Sequence, residues 1–318
     1  MMQYLENILG KDNSFWKYIV VILVTIIAIS LIGGMFTGIA LVVALLSRGG
    51  DFSPETFSNI KNLYDLGLSE NFILVVNLIP FVVGLIALWL LVTGMHKRTF
   101  AETVNGTENI RWGRVFTGFA FWFLLMLVFL SINCISDPDN FVVQFDSSKF
   151  IPLLIIALLF IPLQTTFEEY MFRGYLAQGI ATWTKNRWLV ILIPGILFGL
   201  LHYTNTEVAE HGFWVTMPQY IIFGLFFGLI AVLDDGIELP VGMHAANNIF
   251  VCLFVTNDAS SLRTPAILRQ LEVSPQTETV SLLIAAALTV TYFYYRYKWN
   301  FNILNEKVKP SNYAEQIF

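Results

Sequence analysis

Apolar residues gather into long runs along this chain, separated by short polar stretches. About 20 apolar residues cross the hydrocarbon core of a bilayer. By that ruler the pattern predicts eight spans, at roughly 16–46, 72–95, 115–136, 151–180, 189–204, 215–233, 239–257 and 279–297. Backbone hydrogen bonds have to be satisfied internally in lipid, so each span is expected to be a helix. The first is too long for an upright helix, which points to tilt or a kink near Gly33–Gly34. The fifth and seventh are short or broken by polar residues, so they are expected to face protein and not lipid.

The placement of Lys and Arg orients the spans. With a cytoplasmic N-terminus, twelve of the 18 basic residues fall on the inner side, among them Lys11, Lys97, Arg111, Arg114, Lys185, Arg187 and Arg296. Arg48, Lys61, Lys149, Arg263 and Arg269 fall outside, and Arg173 lies within a span. The bias fits the positive-inside rule and puts both termini in the cytoplasm. One inner loop dissents, because Asp234, Asp235 and Glu238 carry no cation among them. The longest outer loops, about Ser47–Ser69 and Asn257–Glu278, read as irregular structure from their Pro, Ser and Asp content.

Composition agrees. Of 318 residues, 56% are hydrophobic and only 13% charged, with a mean hydropathy of +0.66. A soluble domain would carry about a quarter charged residues. The net charge of −5 leaves no basic face for nucleic acid, which drops out as a partner. Cys134 and Cys252 lie in or beside apolar runs without paired spacing, so neither a disulfide framework nor a Cys-based zinc site is expected. The first apolar run is twice the length of a signal-peptide core and lacks a clear cleavage site, so it reads as an anchor. The fold class is therefore all-α, a polytopic membrane bundle of about eight helices.

Ionisable residues inside spans are expensive and by default mark a functional site. Spans four, five and seven hold nearly all of them. Span four reads Phe167-Glu168-Glu169-Tyr170-Met171-Phe172-Arg173-Gly174. Neighbours on a helix point about 100° apart, so the two carboxylates cannot share one task. Glu169 and Arg173 are four apart on one face and can pair, which a buried charge makes close to obligatory. Glu168 is left on another face without a local cation, the setting of a general acid or base.

Span five ends in Phe198-Gly199-Leu200-Leu201-His202, with Phe198 one turn before the histidine to fix its ring. Span seven carries His244-Ala245-Ala246-Asn247-Asn248. His244 and Asn248 share a face and could orient a water, ligate a metal or donate to an oxyanion. Asn247 points elsewhere, toward another helix. Gln164, Gln178 and Gln219 read as interhelical contacts, and His96 and His211 as solvated loop residues. At 1.5 Å per residue, Glu168 lies about 22 Å from the cytoplasmic end of its helix and His202 about 21 Å from the start of its own. The two levels agree, which implies a buried site open toward the cytoplasmic half.

Glu168-Glu169-x-x-x-Arg173, Phe198-x-x-x-His202 and His244-x-x-x-Asn248, in that order on successive helices, resemble the CPBP intramembrane protease family. That family includes the type II CAAX prenyl endopeptidases and the bacteriocin-processing, Abi-like proteins. The resemblance covers roughly 150–257. It implies hydrolysis of a peptide bond of a membrane-associated, CAAX-like or otherwise lipidated protein or peptide, in the plasma or inner membrane if the source is bacterial. Carried over, Glu168 and His202 would activate the attacking water, His244 and Asn248 would stabilise the oxyanion, and Glu169, Arg173 and Phe198 would support the site.

The resemblance allows a glutamate-dependent enzyme without metal or a metalloprotease, with zinc on Glu168, His202 and His244. The chain divides into residues 1–145 with the first three helices, a catalytic core at 146–258, and 259–318 with the last helix and a cytoplasmic tail. Two other readings stand beside the protease: a non-proteolytic peptide-binding immunity or scaffold protein, and an ion or proton transporter using the same groups as a relay.

Overall fold

The computed structural model describes residues 2–47, 64 and 67–310. The outer loop expected at about Ser47–Ser69, with Arg48 and Lys61, lies almost entirely outside the described residues. In chain order the helices are α1 (Phe15–Ser47), α2 (Glu70–His96), the short α3 (Phe100–Asn105), α4 (Trp112–Ser136), α5 (Ser147–Thr184), α6 (Arg187–Leu200), the short α7 (Thr206–His211), α8 (Phe213–Leu233), α9 (Glu238–Phe254) and α10 (Pro275–Tyr297). The chain is an integral, multi-pass helical membrane protein. Six of the eight expected spans, α1, α2, α4, α5, α8 and α10, are helices long and apolar enough to cross a membrane. The other two fall short of that length, α6 with 14 residues and α9 with 17.

Both shorter helices nevertheless join the same two polar ends of the bundle. At one end Glu6 pairs with Arg187 at the start of α6, and Arg111 pairs with Glu238 at 2.6 Å at the start of α9. The segment before α1 lies here too, since the Gln3 and Tyr4 amides donate to the Asp235 carboxylate. So does the segment after α10, where the Trp299 indole donates to Asp234 and the Val308 amide to the Lys185 carbonyl. At the other end Thr206 donates to the Ala259 carbonyl and Arg263 pairs with Glu70. A small sheet of β1 (Phe141–Val143), β2 (Val255–Thr256) and β3 (Leu268–Gln270) sits there in the order β1-β3-β2, β3 antiparallel to β1 and parallel to β2. It gives the otherwise irregular outer segments their only described strands.

The acidic loop of Asp234, Asp235 and Glu238 finds its cations in space. Arg114 approaches Asp234 at 3.2 Å, and Arg111 reaches both Asp234 and Glu238. The cations come from elsewhere in the chain, Arg111 immediately before α4 and Arg114 in its first turn. His96 also departs from expectation. It is buried, with Nδ1 against the Asp12 carbonyl at 2.9 Å and Nε2 against the Tyr175 hydroxyl at 2.8 Å, because the segment before α1 folds over it. His211 ends α7 and is half-buried, not solvated.

The π-helical stretch Ile29–Gly33 interrupts α1 where the kink was expected. A Cβ on Gly33 would sit 2.7 Å from the Pro80 ring, so the glycine lets α1 and α2 touch there. The expectation that the two short spans face protein holds for α9, which buries Leu239, Gly242, Met243, Ala245 and Ala246. It fails for α6, which turns Leu192, Ile193, Ile196, Leu197 and Leu200 outward and only its other face inward. That inner face carries Gly195 and Gly199, which meet α8 around Gly224 and Ile221. A Cβ on Gly195 would lie 2.9 Å from the Gly224 carbonyl carbon, and one on Gly199 2.8 Å from the Ile221 Cα. Small residues four apart let two membrane helices approach backbone to backbone.

Gly195→Ala should therefore lower stability by about 1–3 kcal/mol through overpacking, read as an earlier thermal unfolding in detergent. Gly94→Ala, which meets open space, should not, and equal effects would contradict the close crossing. The end that carries Asp234 has its own pH dependence. Burial pushes the Asp234 carboxyl up to about 6 from its ordinary 3.8, against the pull of Arg111 and Arg114. The folded chain then holds more protons than the unfolded one between those values, so this group favours folding increasingly as pH falls from about 7 toward 4. The pH dependence of the unfolding temperature over that window should flatten in Asp234→Asn.

Candidate active site

α5, α6, α8 and α9 meet around one buried guanidinium. Arg173 is 1% exposed. Its Nη1 donates to Glu169 Oε1 at 2.9 Å and its Nη2 to the Gly224 carbonyl of α8 at 3.0 Å. Its face lies 4.2 Å from the centre of the Phe198 ring of α6. The Tyr4 hydroxyl donates to the Arg173 carbonyl from the segment before α1. The expected ion pair between Glu169 and Arg173 is present, although α5 widens into a π-helical stretch at Tyr170–Leu176 immediately after Glu169.

Glu169 also accepts from His244 Nδ1 of α9 at 2.8 Å. Glu168 has no cation near it on its own helix, as expected, but His244 Nε2 lies 3.4 Å from its Oε2. The partner comes from 76 positions further along the chain, which local spacing could not supply. All three side chains are buried, and Glu168 Oε2 has no hydrogen-bond partner. A carboxylate accepts only, so Nδ1 of His244 carries a proton toward Glu169. The facing pair of Nε2 and Oε2 then needs one proton between them, since two lone pairs would repel. With that proton the four groups Glu168, Glu169, Arg173 and His244 sum to zero charge, the balance a buried cluster requires.

His202 lies in the turn that follows α6, half-buried. Its Nδ1 donates to the Phe198 carbonyl at 2.8 Å, which leaves Nε2 to accept or bind elsewhere. Tyr220 of α8 stacks on its ring at 4.5 Å and takes a hydrogen bond from Asn205 on its own hydroxyl. Among the described residues His202 makes no hydrogen bond or ion pair with either glutamate. Phe198 joins it to the cluster instead, with ring centres 4.7 Å from His202 and 5.9 Å from His244. Phe198 thus touches Arg173 and both histidines, more than the single histidine assigned to it.

Asn248 lies one turn beyond His244 and donates from Nδ2 to Gln164 Oε1 at 3.0 Å. Asn247 donates to Asn248 Oδ1 and accepts from the Trp122 indole of α4 at 3.2 Å, the interhelical bond expected of it. Gln164 and Gln178 both bridge helices or loops, Gln178 by donating to the Tyr4 and Glu102 carbonyls.

A family model described as Type II CAAX prenyl endopeptidase Rce1-like matches residues 147–250. The protein YyaK of Bacillus subtilis (strain 168), described as uncharacterized, is 33% identical over 262 residues, 82% of this chain and 84% of that protein. The chain belongs to the Rce1-like family. No solved structure matches it.

Membership in the Rce1-like family carries protease activity in general and a CAAX-type intramembrane protease in class. The matched segment runs from the start of α5 into α9 and contains every residue of the cluster. The zinc alternative for this Rce1-like chain fits the side chains poorly. No three His, Cys, Asp or Glu among the described residues could hold a metal ion together. Both ring nitrogens of His244 already face carboxylates, and His202 spends Nδ1 on a backbone carbonyl. Metalloprotease is not supported.

A shallow hollow between Glu210, His211, Asp258 and Leu271, at the end of the bundle that carries Asp258, shares no residue with the cluster. We assign the site by its chemistry and not by that hollow, since the hollow holds no comparable set of paired buried groups. Two features of the site carried a signal in the sequence that the motifs left aside. The glycine spacing Gly195-x-x-x-Gly199 explains how α8 brings a carbonyl to Arg173. Gln164 stands one helical turn before Glu168, a spacing that already placed it on the same face.

Arg173→Met should destabilise the fold by about 3–5 kcal/mol, because it strands a buried carboxylate. The double change Glu169→Gln with Arg173→Met should recover much of that loss. Thermal unfolding of the variants in detergent checks both, and a double variant no better than the single would mean that Glu169 is compensated by something other than Arg173.

Proposed function

We propose that this protein is an intramembrane endopeptidase that hydrolyses a peptide bond of a membrane-associated protein or peptide, with a lipidated, CAAX-like C-terminus as the substrate class. The observation that supports it most is the buried His244 held between Glu168 and Glu169. A scaffold that only binds peptide has no use for a carboxylate oxygen left without a hydrogen bond beside an imidazole.

In this reading Glu168 takes a proton from water, and the hydroxide oxygen bonds to the scissile carbonyl carbon. His202, with Nε2 available, helps to hold that water. The carbonyl oxygen becomes an oxyanion, which accepts hydrogen bonds from His244 Nε2–H, released as Glu168 becomes neutral, and from Asn248. Glu168 then passes its proton to the departing nitrogen as the carbon–nitrogen bond breaks, and both products leave. Glu169 holds the imidazole in register through Nδ1, and Arg173 holds Glu169. The proton gained by Glu168 is matched by the negative charge on the oxyanion, so cluster and substrate together stay at zero through the attack, which suits a low dielectric.

Purified protein should shorten farnesylated CAAX peptides, with product mass giving the bond that is cut. Glu168→Gln should lower kcat by roughly 10²–10⁴-fold with little change in unfolding temperature. A chelator should leave the rate unchanged, and inhibition reversed by added zinc would replace this mechanism with a metal-held water. Equal turnover by wild type and Glu168→Gln would remove Glu168 from the chemistry. Peptide that binds and is never shortened would favour the immunity or scaffold reading, and pH-driven flux in proteoliposomes without hydrolysis the transporter.

A further inference from the structure

Four side chains from three helices form one continuous line of hydrogen bonds beside the cluster. The Trp122 indole donates to Asn247 Oδ1 at 3.2 Å, Asn247 Nδ2 to Asn248 Oδ1 at 3.1 Å, and Asn248 Nδ2 to Gln164 Oε1 at 3.0 Å. Oxygen and nitrogen of an amide can usually be exchanged without violating geometry. Here they cannot, because an indole N–H only donates. It forces an oxygen of Asn247 to face it, which turns the Asn247 nitrogen to Asn248, and so on down the line. Every amide is thereby polarised in one direction, and the line ends with both N–H bonds of Gln164 Nε2.

Where the line ends matters. Gln164 is buried, one turn before Glu168 on the same helix, so its side chain and that of Glu168 share a face. Trp122 is immobilised at the other end, 2% exposed and packed between Phe223, Phe226 and Phe227 of α8. A donor held rigidly from behind, one helical turn from a general base, is what stabilisation of a developing oxyanion requires.

We infer that Gln164 is a further catalytic residue, whose Nε2–H donates to the scissile carbonyl oxygen alongside Asn248, and that Trp122 and Asn247 are positioning residues that act through this line. The inference rests on the protease reading above and deepens it.

The test compares kcat and KM of wild type, Gln164→Leu, Trp122→Phe and the double variant on a fluorescent farnesylated CAAX peptide. Gln164→Leu should lower kcat on the order of 10²-fold with KM nearly constant, and Trp122→Phe should lower kcat by a smaller factor. In the Gln164→Leu background Trp122→Phe should have no further effect, because its route to the substrate is gone. A merely structural tryptophan would reduce activity equally in both backgrounds, which would overturn the positioning role. Undiminished kcat in Gln164→Leu would overturn the whole inference.

A readout free of turnover separates this from failure of the protease reading. The indole N–H resonance of Trp122, identified by its loss in Trp122→Phe, should shift in Gln164→Leu even if no peptide is cut. An unchanged resonance would mean that the line does not transmit.

Discussion

The burial of Arg173 is the constraint from which the rest of this bundle's centre follows. A guanidinium shut away from water must have its charge balanced. Glu169 balances the charge, the Gly224 carbonyl takes a second N–H, and the Phe198 face lies against the plane. Each of these belongs to a particular helix, so satisfying one side chain of α5 fixes α6 and α8 beside it. Gly224 can offer its carbonyl because Gly195 lets α6 come close enough to leave no gap. Glu169 then extends the arrangement to α9 through His244.

Local spacing carried a good part of this. The apolar runs locate the long helices, and the segregation of ionisable residues into three spans locates the cluster. The four-residue step from Glu169 to Arg173 gives the ion pair, and the 100° step from Glu168 to Glu169 gives their different surroundings. Spacing says which face a side chain occupies and nothing about which distant helix lies opposite. That is why His244 between the two carboxylates, and Arg111 and Arg114 beside Asp234, could not be read from the chain. His96 escaped for the same reason, since what covers it is the segment before α1.

The fifth and seventh spans show a second limit. A hydropathy ruler assumes that a crossing helix is as long as the hydrocarbon is thick. α9 is enclosed by other helices and need not be uniformly apolar, and α6 hands its path to a turn that carries His202. Helix faces counted at 3.6 residues per turn also drift through the π-helical stretch after Glu169, where each turn holds more residues. Such stretches gather at functional sites, and here one directly follows the pair of glutamates.

Two donor systems converge on the same helix face by different physics. His244 depends on charge, since its ring lies between the carboxylates of Glu168 and Glu169. In the proposed reaction its Nε2–H turns from Glu168 to the oxyanion once Glu168 is neutral. The amide line from Trp122 carries no charge and cannot respond to one, so its donors are fixed by covalent chemistry and packing alone. In the proposed mechanism their combination places a switchable donor beside permanent ones, with the summed charge of site and substrate the same before and after attack. In a medium of low dielectric that constancy matters more than the strength of any single contact, because any step that created net charge would have to be solvated from within the bundle.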